Sequence, residues 1–204
     1  MTTSLIAEFD ALSARQFDEF ARAGVWWTGE QKLAIVATAR AAMAGAPSPE
    51  GLPAHVDEAA RKVTAEAISI RRDDIQRWAD DGMRVEAYVE LVSVIVRLAA
   101  IDTAAFGLGL DATPLPSAVA GAPLESTVPG IDVVDGWVPT DGPAFPPTAF
   151  TAVLGATEQW IDVSNVLYMP MEEMGDPAYV RDGVTRAQIE LVAARTSYLN
   201  DCFY

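Results

Sequence analysis

Residues 85–107 read VEAYVELVSVIVRLAAIDTAAFG, which places apolar side chains on nearly every face of a predicted helix. A helix that is apolar all round is buried, either at the centre of a domain or in an interface between subunits. Two charges interrupt its most apolar part, residues 89–101, and we expect Glu90 either to lie near Arg97, two turns along the same face, or to face a pocket. With these charges the run does not approach the ~20 apolar residues that span a bilayer.

Helical patterns also precede and follow this central run. Apolar residues recur in them at the spacing of a helix, and only residues 131–138 carry a weak signal for a short strand. The predicted helices are residues 1–23, 28–43, 54–80 as one helix or two, 85–107, 150–169 and 185 onward. We therefore predict an all-α fold, a helical bundle.

Residues 111–148 differ in composition from the rest of the chain. They contain eight of the thirteen prolines together with four glycines. Proline and glycine both disfavour a continuous helix, so we predict a loop or linker over this stretch. The expected organisation is a first helical repeat over 1–110, a Pro/Gly-rich linker over 111–148 and the start of a second repeat over 149–204.

Two segments begin with the same helix-start signal. Thr28 with Gln31, and Thr185 with Gln188, both fit a capping box, in which the two side chains cap each other's backbone N–H groups. The residues that follow align without gaps at an offset of 157. Either this similarity is chance, since Ala-rich capped helices resemble one another, or it is an internal repeat. In the second case the later part of the second repeat is missing from this sequence.

Charge and cysteine content exclude several classes of function. The net charge is −15 and only two lysines are present, whereas binding to nucleic acid or anionic membranes requires a basic surface. The first residues lack the basic and apolar regions of a signal peptide. A single cysteine excludes an internal disulfide framework. Without a signal peptide or a disulfide framework, we expect a cytoplasmic protein. We also expect no metal or cofactor, because the acidic residues 172–176 do not follow the pattern of a calcium-binding loop.

The segment from Gln188 to Tyr204 carries the most specific pattern of the chain. Glu190 is followed twelve residues later by Cys202, the only cysteine. With residues 87–109, this segment resembles the alkylhydroperoxidase D-like / carboxymuconolactone decarboxylase superfamily. The resemblance implies an all-helical, oligomeric protein that reduces hydroperoxides and is recycled by an external dithiol. It also implies that Glu190 is the proton-relay acid and Cys202 the cysteine that resolves the oxidised intermediate as a disulfide.

The family's Cys-x-x-Cys motif would place its second, peroxide-attacking member at position 205. The family's relay histidine would follow four residues later, so we expect the 204 residues alone to be inactive. Three explanations are open: a fragment, a degenerate gene, or a UGA codon for selenocysteine that was interpreted as a stop. We favour the third, and it requires that a UGA codon and a histidine-bearing reading frame follow Tyr204.

The residues before Cys202 suggest a local mechanism for activating its thiol. Asn200 and Asp201 can act as an N-cap, which would place Cys202 in the first turn of a new helix, where free N–H groups and the helix dipole stabilise a thiolate. On one straight helix, however, Glu190 and Cys202 would lie about 18 Å apart. Direct proton transfer needs contact or one water, so the chain must bend near Asn200 or another group must bridge.

Two other interpretations remain open at this stage. One is a carboxymuconolactone decarboxylase-type enzyme that works without cysteines, for which catalytic acids and bases must be found elsewhere. The only histidine, His55, is expected to face solvent near a helix start. The other is a non-catalytic, oligomerising helical protein whose interface is the apolar helix 85–107.

Overall fold

A computed structural model describes residues 2–143 and 145–202 of the protein. The protein is mostly helical, in agreement with the predicted class. Its helices are α1 (Thr2–Phe20), α2 (Gly29–Met43), α3 (Ala54–Ala65), α4 (Arg72–Asp80), α5 (Val85–Leu108), α6 (Ala156–Leu167) and α7 (Arg186–Leu199). Three short 3-10 turns occupy Ala67–Ser69, Pro146–Thr148 and Met171–Glu173. The strands β1 (Val180–Arg181) and β2 (Val184–Thr185) pair antiparallel, with Val180 opposite Thr185.

Helix α5 forms the centre of the fold. It packs against α1, α2, α3, α4 and α6, and it buries Leu91, Val94, Leu98 and Ile101 completely or almost completely. The helix ends where Gly109 adopts a left-handed conformation with φ 70°, which a residue without Cβ adopts readily. Of the two places that the sequence allowed for this helix, the centre of the domain is the one observed.

By length and composition α5 could also cross a membrane, whereas its charged residues had suggested that its apolar run is too short to do so. It is the one such helix in the described part of the chain, and its most apolar stretch has a mean hydropathy of 1.8. However, 44% of that stretch is buried inside the protein, and its two charges, Arg97 and Asp102, have protein partners. The core helix of a soluble protein has the same properties, and the arrangement is compatible with a soluble protein.

Two predicted helices differ from the observed ones in their bounds. Residues 54–80 form two helices, α3 and α4, separated by a 3-10 turn. The helix predicted from residue 150 begins only at Ala156, after Gly155 with φ 78°. Phe150 and Val153 are buried nevertheless, in a series of turns that packs against α5. Their apolar spacing therefore reflects burial against α5 and does not indicate a continuous helix.

The Pro/Gly-rich segment forms no α-helix among its described residues, as predicted. The strand suspected within 131–138 is reduced to one bridge between Asp132 and Thr140. The segment is attached to the helical part of the protein, because its backbone forms hydrogen bonds with the loop between α1 and α2. Leu124 N donates to Gly24 O at 3.1 Å, and Glu125 N donates to Val25 O at 2.8 Å.

Candidate functional site

Both predicted site residues lie on or directly after α7, and the start of this helix is as expected. Thr185 and Gln188 form the predicted capping box, with Thr185 N donating to Gln188 Oε1 at 2.9 Å. The corresponding box of Thr28 and Gln31 is also formed. Helix α7 nevertheless buries none of its residues within the described structure. Its most exposed apolar side chains are Leu191, Val192, Tyr198 and Leu199, at 64–73% exposure.

Two side chains hold the Glu190 carboxylate by hydrogen bonds. Its Oε1 accepts hydrogen bonds from the Tyr168 hydroxyl and from Arg186 Nε, each at 2.7 Å. Arg186 in turn donates to the carbonyl of Met174 at 2.9 Å. Burial and the bond to Glu190 raise the pKa of Tyr168, so this hydroxyl keeps its proton and acts as the donor. Glu190 is thus oriented near one end of α7, with its side chain 45% exposed.

The helix that Cys202 was predicted to begin lies outside the described residues, which end with the C-terminal cap of α7 and Cys202. Asn200 is the C-cap of α7, Asp201 follows with a left-handed φ of 51°, and Cys202 N donates to Ser197 O at 2.9 Å. This pattern closes the C-terminal end of a helix by supplying donors to its last carbonyl groups. Cys202 therefore follows the C-terminal, negative end of the α7 dipole. Its side chain is exposed to solvent.

The two predicted residues are not brought into contact. Helix α7 continues unbroken from Glu190 to Leu199, which alone spans about 14 Å. The chain does turn at Asp201, close to the predicted bend, but this turn leaves Cys202 beyond the end of the helix. Direct proton transfer between Glu190 and Cys202 is excluded at this separation.

A groove of about 820 Å³ runs along α7, and its described lining contains neither Glu190 nor Cys202. Most of its lining is apolar, contributed by α1, α5, α6 and α7. Tyr168, the partner of Glu190, lies on the groove, and so does Ser197, whose carbonyl accepts from Cys202. Its size is that of a small-molecule site, and its lining favours an apolar ligand.

A buried charge network lies farther along α1, near its C-terminal end, and the sequence pointed to only one of its members. Arg97, 1% exposed, donates to Glu19 at 2.8 Å and to Gln16 at 2.7 Å. Lys32, fully buried, donates to the other oxygen of Glu19. A charge inside an apolar helix must find a partner, so Arg97 signalled such a network. Glu19 and Lys32 carried no comparable signal, because their surroundings resemble those of surface residues.

Glu90 binds backbone groups, a role that neither of the expectations for it named. Its carboxylate accepts from Val25 N at 3.1 Å and from Trp26 N at 2.6 Å, and so holds the loop before α2. A Cβ on Gly24 would lie 1.8 Å from its Oε1, which explains the glycine. Burial raises the pKa of Glu90, although the two backbone donors oppose the shift.

The other residues considered from the sequence do not form a site. His55 is half-buried and lines a cleft of about 650 Å³ together with Trp26, Arg84 and Glu125. Within residues 2–143 and 145–202, no group of three or more His, Cys, Asp or Glu side chains is arranged to hold a metal ion.

Comparison with known proteins gives no further assignment. No protein-family model, curated protein or solved structure matches this chain. A functional assignment therefore depends on the chemistry of the residues themselves.

Proposed function

We propose that this chain belongs to a thiol- or selenol-dependent hydroperoxide reductase of the alkylhydroperoxidase D-like type, with Cys202 as its resolving thiol. One observation carries the proposal. Cys202, which is exposed, follows Glu190 by twelve residues, and Tyr168, the hydrogen-bond partner of Glu190, lines an apolar groove along α7. The peroxide-attacking residue belongs at position 205, directly after Tyr204.

The proposed reaction consumes one hydroperoxide and two reducing equivalents. The thiolate or selenolate at position 205 attacks the terminal peroxide oxygen, the O–O bond breaks, and the alkoxide takes a proton to leave as an alcohol. The attacking residue becomes a sulfenic or selenenic acid. The Cys202 sulfur then attacks that atom, and the oxygen leaves as water with a proton from the site. An external dithiol reduces the resulting disulfide or selenylsulfide and is itself oxidised. No metal or organic cofactor takes part.

The position of Cys202 favours the resolving role over the attacking one. An attacking residue must be ionised when the peroxide arrives, and the negative end of α7 does not assist ionisation. A resolving thiol reacts with a neighbour three residues away, so proximity replaces much of that activation. Glu190 is too far to take the Cys202 proton itself, and a group beyond the described residues must relay it.

A single-turnover experiment tests the proposal. The protein is produced with cysteine at position 205 and the following reading frame, reduced, and mixed with an organic hydroperoxide. We expect one equivalent of alcohol and a Cys202–residue 205 disulfide, found by mass spectrometry of the digested protein. Cys202→Ser is expected to form the alcohol once and to accumulate a sulfenic acid that dimedone traps. Continued turnover by Cys202→Ser at the wild-type rate, or no alcohol from either protein, would refute the proposal.

A second candidate, a self-associating helical protein, is favoured by a different observation. Helix α7 exposes Leu191 at 70% and Tyr198 at 73%, on its outer side away from the groove. Such side chains on one helix are typical of a protein interface, and association with a second copy would cover them. Sedimentation velocity of the wild type and of Leu191→Glu/Tyr198→Glu distinguishes the cases. The candidate requires a concentration-dependent oligomer that the double variant abolishes, and a monomeric wild type excludes it.

A further inference from the structure

A second cleft, far from α7, lies between α5 and the Pro/Gly-rich segment. Its volume is about 600 Å³. One wall is formed by Tyr88, Val89 and Val92 of α5 with Ile75 of α4, and the facing wall by residues 135–150. The stretch of α5 from Val92 to Ala104, about 18 Å long, separates it from the groove beside α7. An inference about this cleft is therefore independent of the function proposed above.

The wall contributed by the Pro/Gly-rich segment is fixed by hydrogen bonds. Thr140 N donates to Asp132 O at 3.0 Å, which closes the loop that carries Trp137 and Val138. Arg72 of α4 donates to the carbonyl of Gly136 at 3.3 Å and ties the tip of the loop to the helical body. Because both walls are held, the cleft exists before any ligand arrives, as in most small-molecule sites.

The lining is dominated by rings and aliphatic side chains. Trp137 and Phe145, both close to half exposed, and the buried Tyr88 and Phe150 present aromatic rings on the two walls. Rings of this kind bind flat, ring-bearing molecules by stacking and edge contacts. Asp135 is the one charged residue in the lining, and it already takes part in an interaction within the protein. With a net charge of −15, the chain also disfavours an anionic ligand.

Tyr88 supplies one polar group to this apolar surface. The residue is only 7% exposed, and its ring packs on Trp78 with 5.5 Å between centroids. Its hydroxyl is not one of the fully buried polar atoms that lack a partner within the described residues, so it does not need a protein acceptor and can bind a ligand in the cleft. Burial raises the pKa of Tyr88 to about 12, so the hydroxyl stays protonated and can donate.

We infer that this cleft is a binding site for a neutral, ring-bearing apolar molecule that carries a hydrogen-bond acceptor for the Tyr88 hydroxyl. The rings and aliphatic side chains supply the affinity by apolar burial. The hydroxyl supplies selectivity, because a ligand without an acceptor would bury it unpaired.

The neutral fluorescent naphthalene ketone prodan serves as the probe. We expect its emission to shift to the blue on addition of the protein, with energy transfer from Trp137. Acetylnaphthalene and ethylnaphthalene, which differ in one carbonyl group, then compete with it. The ketone is expected to displace prodan about threefold to tenfold more strongly, which corresponds to one net hydrogen bond.

Three variants decide the outcome. Tyr88→Phe should abolish the preference for acetylnaphthalene over ethylnaphthalene. Val92→Trp fills the cleft and should weaken prodan binding about tenfold or more, whereas Ile68→Trp, at an exposed position outside the cleft and the groove, should not change it. Far-ultraviolet circular dichroism confirms that each variant is folded. Wild-type affinity in Val92→Trp, equal losses in both tryptophan variants, or an unchanged ketone preference in Tyr88→Phe would each overturn the inference.

Discussion

Helices α2 and α7 begin with the same capping box and have similar lengths, yet they lie in opposite environments. Helix α2 buries eight of its fifteen residues, including Ile35 and Val36 completely. Helix α7 buries none of its fourteen within the described structure. Local signals therefore specify where each helix starts, and they do not specify what surrounds it. Burial depends on neighbours, and among the described residues α2 has more helical neighbours than α7.

The neighbours account for the difference in physical terms. Helix α2 packs against α1, α3 and α5, so that several of its faces are covered, and even its lysine, Lys32, is buried. Neither helix has a pronounced apolar face, because apolar residues are spread around both. A helix of this kind gains stability only when it is surrounded. Among the residues that the structure describes, α7 packs chiefly against β2, the strand that directly precedes it.

The sharpest test of the comparison uses two equivalent core-type residues. Ile35 and Val192 each follow their capping threonine by seven residues, but they are 0% and 66% exposed. Ile35→Ala is expected to lower the free energy of unfolding by about 2–5 kcal/mol, because it leaves a cavity. Val192→Ala should change it by less than about 0.5 kcal/mol. Guanidinium titrations at several protein concentrations measure both, and equal losses would show that α7 is as buried in solution as α2.

The two glutamates that anchor these helices provide the next test. Glu90→Ala leaves the N–H groups of Val25 and Trp26 without their acceptor, and we expect a loss of about 2–3 kcal/mol of unfolding free energy. Glu190→Ala removes partly exposed contacts to Tyr168 and Arg186 and should cost about 0–1 kcal/mol. Urea unfolding gives both values. A larger loss for Glu190 would contradict the surface position of α7.

Glu90 also gives a pH dependence of known sign. Burial raises its pKa in the folded state above the ordinary value of 4.5, so between these two values the folded protein binds more protons than the unfolded one. Its contribution to stability therefore falls as pH rises through this window. Relative to Glu90→Gln, which cannot titrate, the wild type should lose unfolding free energy from about pH 4 upward until the folded pKa is passed. Parallel pH profiles would contradict the raised pKa.

The capping threonines give the smallest expected difference. Thr28→Ala should lower the global free energy of unfolding by about 1 kcal/mol, because α2 is part of the cooperative core. Thr185→Ala should leave global stability unchanged and speed amide hydrogen exchange in α7 alone. Hydrogen exchange with mass spectrometry separates the two. A global effect of Thr185→Ala would show that α7 unfolds together with the core.

The sequence predicted the features that depend on neighbours in the chain. Helix α5 and both capping boxes follow from local patterns and were found as expected. Asn200 and Asp201 were predicted as an N-cap but are found at the end of α7, because both residue types favour N-caps and also tolerate left-handed conformations. Only the bond from Cys202 N to Ser197 O decides between the two ends.

The features that depend on distant residues were not predictable in the same way. The pairing of Lys32 and Arg97 with Glu19 requires three helices to be placed first. The groove beside α7 and the cleft beneath residues 135–150 likewise arise from elements that are far apart in sequence. The spacing of Glu190 and Cys202 suggested a chemistry, but it could not give their distance from each other or the direction of the helix dipole.

The pairing of Leu124 and Glu125 with the loop at Gly24 and Val25 also bears on the order of folding. These contacts close a loop of about a hundred residues, and the entropy of that closure is lost before the bonds compensate for it. The helices around α5 are therefore expected to assemble first, and the Pro/Gly-rich segment to dock after the transition state. Substitutions along residues 119–125 should then accelerate unfolding and leave the folding rate unchanged.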